Sequence, residues 1–106
     1  MIVTPGSSIV GQRITRTFGL VRGNTIRARH LGKDILAVLK NVVGGEIEEY
    51  TKMMAEAREQ ALDRMIQEAR GLGASAIVDV RFSTSYMMGA ASEIMVYGNA
   101  VLTEPE

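Results

Sequence analysis

The sequence predicts an α+β fold of β-α-β-β order, with one long amphipathic helix packed on a small, mainly antiparallel sheet. Three observations carry this. From Gly44 to Gly73, apolar residues recur every three or four positions between glycine boundaries, the spacing of a helix with one buried face. Residues 13–29 alternate with the period of a strand and are rich in β-branched side chains. Two more alternating stretches, 75–85 and 93–103, follow the helix.

In chain order, residues 1–12 form a leader punctuated by Pro5, Gly6 and Gly11. The first strand then places Ile14, Arg16, Phe18 and Leu20 on one face and Thr15, Thr17, Gly19 and Val21 on the other. Gly23-Asn24 interrupts it, as a two-residue hairpin turn or as a bulge in one long bent strand, the latter favoured. Asp34 is placed to cap a short helix through Asn41, and Gly44-Gly45 breaks that helix before the long one.

Along the long helix, Ile47, Tyr50, Met54, Ala57, Ala61, Met65 and Ala69 form the stripe, widened by Met53, Leu62, Ile66 and Leu72. Glu46, Glu48 and Glu49 near its start and Arg70 in its last turn complement the helix dipole. At ~1.5 Å per residue the segment is about 40 Å long, and its alanines allow another backbone to approach closely. After it, Ala76, Val78, Val80 and Phe82 are expected on one face of a strand. Residues 86–92 read as a loop, and Ile94, Val96, Gly98, Ala100 and Leu102 alternate with Met95, Tyr97, Asn99 and Val101. That last strand is apolar on both faces, while the chain supplies one long helix as cover. A second copy of the chain is the expected cover for the rest.

A length of 106 residues fits a single domain, 1–106, with 46% hydrophobic and 23% charged residues, a globular balance. No apolar run approaches the ~20 residues of a membrane span, and the start lacks the pattern of a secretory signal, so a cytoplasmic protein without a membrane partner is expected. The absence of cysteine removes disulfides, thiolate metal sites and thiol nucleophiles. The zero net charge is a cancellation. Residues 1–45 carry seven Lys/Arg against Asp34 alone, and residues 46–106 carry five against eleven Asp/Glu. Such polarity suits a polyanion or the complementary surface of a neighbouring copy.

Candidate sites are sparse. Gly44-Gly45 before a helix is the setting of an anion site, but the adjoining glutamates and the lack of a P-loop pattern favour simple turn chemistry. His30 is the only histidine, so a metal site would need ligands converging from several copies; His30, Asp34, Glu46 and Glu49 are the candidates. The methionine pairs 53-54 and 87-88 offer soft sulfur, although methionines at helical spacing usually fill cores. No nucleophile elbow or other catalytic constellation is visible. The basic segment 13–33 has Phe18 as its only aromatic residue, poor material for stacking on nucleic acid, so no nucleic-acid partner is expected.

The stretches Gly19-Leu20-Val21-Arg22-Gly23, Val43-Gly44-Gly45, Tyr50, Ala57-Arg58, Ala61, Ala69 and Leu72-Gly73-Ala74, with the closing VYGNAV, resemble the YbjQ-like family of small uncharacterised proteins, to which a heavy-metal-binding label is sometimes attached. The resemblance spans nearly the whole chain. It implies a dodecin-like subunit fold, the bent-strand reading of residues 13–29 and assembly into a ring, a pentamer. It supplies no reaction, no cofactor and no catalytic residues. Ser75, Asp79 and Asn99 stand where the family usually has asparagine, glycine and a small residue. The expected function is therefore a non-enzymatic homo-oligomer that binds a small ligand or ion at subunit junctions or the ring axis. The alternative is a heavy-metal or divalent-cation binder.

Overall fold

The long central strand, with alternating apolar residues on both faces, is the spine of the sheet. The structure is a computed structural model and describes residues 1–26, 48–87 and 90–106. Its elements are β1 (Ile2–Val3), β2 (Gln12–Ile26), α1 (Glu48–Leu72), β3 (Ala76–Met87) and β4 (Ala90–Pro105). They form one helix on a four-stranded mixed sheet of order β1-β3-β4-β2. β4 is antiparallel to both β2 and β3, and the short β1 pairs parallel to β3. The proposed short helix from Asp34 to Asn41 lies outside the described residues.

α1 lies across β2 and β4 and barely reaches β3. Ala57, Ala61, Met65 and Ala69, one residue per turn, are fully buried against Val21, Val96, Ala100 and Ile77. Small residues on both elements bring the helix down onto β2. A Cβ added at Gly23 would lie 2.0 Å from the Ala61 carbonyl oxygen and 2.5 Å from the Met65 backbone nitrogen. Close packing at this point is fastened by the buried Thr25, whose hydroxyl donates to the Ala57 carbonyl at 3.2 Å. The Arg64 guanidinium donates to the Asn24 carbonyl on the same flank.

Four sequence expectations are corrected. Gly23-Asn24 is neither a turn nor a bulge: β2 pairs with β4 without interruption through it, and Gly23 is there because the helix touches the strand. The irregularities of β2 lie earlier, between Ile14 and Arg16 and between Thr17 and Gly19. The second, where Gly19 has φ 108°, turns Phe18 toward the helix-side core with Val21 and leaves Leu20 exposed. In β3, a register shift between Val78 and Arg81, with Asp79 at φ 55°, puts Val78 and Val80 on opposite faces rather than one. Residues 86–92, expected as a loop, are largely strand, with Met87 opposite Ala90; residues 88 and 89 lie outside the described residues.

The leader is structured. After β1 it crosses the edge of β3 at the Asp79 irregularity, where the Asp79 nitrogen donates to the Gly6 carbonyl and the Val80 nitrogen to the Thr4 carbonyl. It then lays Ile9 against Ala76, Val78 and Val101, a small second core on the face away from α1. The molecule is elongated, 55 × 24 × 16 Å, with a radius of gyration of 17.0 Å, against ~13 Å for a compact chain of this length. No helix among the described residues is long and apolar enough to cross a membrane.

Candidate functional site

Because α1 sits mainly over β2 and β4, the helix-side face of β3 is covered at Ile77 and Val80 but lies open at Phe82. A groove of about 860 Å³ opens there, between the flank of α1 and the β1–β3 edge. Its apolar lining comes from Val3, Leu62, Ile66, Val80 and Phe82, and the Thr4–Gly6 turn closes one rim. The volume is within the ~300–1,000 Å³ range of small-molecule sites. Leu62 and Ile66 pack on the main core along one side and border the groove along the other.

The charged contribution to the groove is Arg81, whose Nη1 donates to the Pro5 and Val80 carbonyls, each at 2.8 Å. These bonds hold the guanidinium at the rim while using part of its five-donor fork. The turn that anchors Arg81 is itself pinned by Asp79. The Ser7 hydroxyl donates to one Asp79 carboxylate oxygen at 2.7 Å, and the Asn99 amide reaches the other at 3.4 Å. Thus the αL residue of β3 fixes the leader, and the leader fixes the rim of the groove.

On the opposite face of the sheet, Leu20, Arg22, Ser83, Met95 and Tyr97 surround a shallower depression of about 310 Å³. The strand register sets Arg22 and Arg81 directly opposite Tyr97 from its two sides. Ile9 covers one end of this face, and Leu20, 62% exposed, marks the end that remains open.

His30, Asp34 and Glu46 lie outside the described residues, and Glu49 is in the first turn of α1 with its side chain outside the description. The described residues therefore do not bring these four together. Among the described residues, no group of three or more His, Cys, Asp or Glu is arranged to hold a metal ion. Met54 and Met65 fill the interface beneath α1, in line with a packing role for those sulfurs. The groove itself was not apparent from sequence. Its trace was the extra breadth that Leu62 and Ile66 give the helical stripe, wider than seating on two strands requires.

A family model of the YbjQ type, described as "Putative heavy-metal-binding", matches residues 1–104. The chain belongs to this family. Similar proteins include a UPF0145 protein of Dehalococcoides mccartyi, 57% identical over 104 residues, covering 98% of this chain and all of the relative. Another, from Methanosarcina acetivorans, is 54% identical over 101 residues and covers 95% of each chain. A third, from Pyrococcus abyssi, is 53% identical over 106 residues, covering 100% of this chain and 93% of the relative. The α+β fold is also that of a crystal structure from Pediococcus pentosaceus, a protein of unknown function in the DUF74 family. The two share a TM-score of 0.52 at 15% identity, over 100% of this chain and 98% of the other. The metal label does not find its usual donors here: the sequence has no cysteine and one histidine, and the described carboxylates form no cluster.

Proposed function

We propose that this YbjQ-family chain is a non-enzymatic cytoplasmic subunit that works as a closed homo-oligomer, a pentameric ring, and binds a small ligand at subunit junctions. The observation that carries the reading is the amount of apolar surface one copy leaves uncovered. Leu20, Ile26, Phe82 and Tyr86 are 62%, 67%, 47% and 69% exposed, on a molecule more extended than a compact chain of its length. Two long strand edges add to this: among the described residues, the outer edge of β2 and the edge of β3 beyond the leader have no partner strand. Free edges and apolar faces of this kind suit another copy of the chain, and closed symmetric homo-oligomers are the common arrangement; the ring of five is what the family resemblance adds.

The charge split supports the same reading, since a head-to-tail ring can bring the basic first part of one copy against the acidic remainder of the next. The groove is the ligand site in this reading, since it opens at Phe82, where β3 runs past the leader and a neighbour would border it. Sedimentation velocity at micromolar concentration tests the assembly. A discrete species of about five chain masses is expected, and a stable monomer rejects the reading.

The family label favours a second reading, a cation held by His30, Asp34, Glu46 and Glu49 converging from several copies. Its donor set, one imidazole plus carboxylates from each chain, is oxygen-rich and better matched to hard or borderline cations than to soft heavy metals. Metal analysis of tag-free protein decides this: stoichiometric metal that is lost on His30→Ala supports it, and metal-free protein with no thermal shift on adding zinc, nickel or copper rejects it.

A further inference from the structure

We infer that the groove between α1 and β3 is a binding site for a single-chain organic anion, a medium- or long-chain carboxylate whose tail lies on Leu62, Ile66, Val80 and Phe82. This names a ligand class for the small-ligand part of the reading above and depends on that part alone, whatever the number of copies. The apolar bed accounts for the tail. The head group follows from where the helix places its charges.

Residues four apart lie in rows along α1, and the row flanking the groove reads Met54, Arg58, Leu62, Ile66, Arg70. The two apolar residues that border the groove thus have an arginine one turn away on either side. The acidic residues of this part of the helix fall on other rows: Glu59 and Asp63 on the side away from the sheet, Glu56 and Glu68 on the flank toward Arg64 and β2. Arg58 and Arg70 are exposed. Arg81 starts from the other face of β3, but its guanidinium is held at the sheet edge by the Pro5 and Val80 carbonyls and adds a third positive charge at the rim formed by the Thr4–Gly6 turn. An uncharged apolar guest would use the floor but leave the three arginines idle. A planar carboxylate matches the guanidinium fork.

The test is isothermal titration of the full chain with sodium decanoate below its micelle concentration and with decanol. Saturable binding of one decanoate per chain is expected, with decanol about tenfold weaker, the loss of one charge-assisted interaction. Leu62→Asp should abolish uptake. The double variant Arg58→Gln, Arg70→Gln should erase the preference for decanoate while leaving thermal unfolding unchanged, and Arg81→Gln should act in the same direction. No decanoate binding, or equal binding of acid and alcohol that the arginine variants do not alter, overturns the inference. Retention on phosphatidylglycerol vesicles without uptake of free decanoate overturns it in favour of a membrane-facing groove. Sedimentation of the same samples separates the two readings. A monomer that binds decanoate removes the ring and keeps the site. An assembly that takes up no decanoate and is dispersed by Leu62→Asp makes the groove a contact between copies.

Discussion

Asp79 holds its backbone at φ 55°, a region that costs an ordinary residue roughly 1–2 kcal/mol per position and that asparagine, aspartate and glycine tolerate best. It is also a position where the YbjQ resemblance points to a usual glycine, and the angle gives the physical reason. Aspartate offsets the strain with its carboxylate, which receives Ser7 and Asn99. Asp79→Ala therefore loses both hydrogen bonds and keeps the strain, whereas Asp79→Gly loses the bonds and the strain together. Denaturant unfolding should find the glycine variant more stable than the alanine variant by about 1 kcal/mol. Gly23 is constrained by space and not by angle. Its added Cβ would meet helix backbone at 2.0 Å, and backbone cannot swing aside like a side-chain tip. Gly23→Ala should destabilise the fold by about 3 kcal/mol, the top of the usual overpacking range, in the same unfolding assay.

At the scale of elements, the long helix and the three long strands were legible because their apolar spacing repeats over many residues. Alternation misleads where a single residue resets the period. A strand pattern read by alternation carries its faces forward indefinitely, so the shift at Asp79 moved Val78 and Val80 apart and the shift near Phe18 separated Phe18 from Leu20. Gly23 looked like punctuation because glycine is common in turns, and only the helix above it explains its presence. β1, two residues long, has too few positions to show a period at all. The groove was hidden for a related reason: its walls come from β1, α1 and β3, and their juxtaposition depends on how far α1 is displaced toward β2. That displacement rests on the column Ala57, Ala61, Ala69, which lets the helix settle. Ala61 lies directly over Gly23, so Ala61→Leu should lift the helix and cost about 1–3 kcal/mol by denaturant unfolding.

At the scale of the whole molecule, the two sides of the sheet pose different problems. The helix side has a cover over β2 and β4 and, beside it, a largely apolar groove with Arg81 at its rim. The other side is shallow, with a patch of its own chain, Ile9, closing one end and Leu20, Met95 and Tyr97 left at the other. A shallow apolar face suits the flat surface of a neighbouring copy better than a small molecule, because only a large partner can cover it. Under the proposed assembly the contact falls on the Leu20 face, and the groove stays open to a ligand at the margin of the junction. Placing a carboxylate at each tests this division. Leu20→Glu sits exposed on a single chain, so it should leave thermal unfolding of the monomer nearly unchanged while shifting the sedimentation coefficient to that of one chain. Leu62→Asp should leave the assembly intact. The reverse pattern, with Leu62→Asp dispersing the oligomer and Leu20→Glu silent, would place the neighbour over α1 and β3 instead.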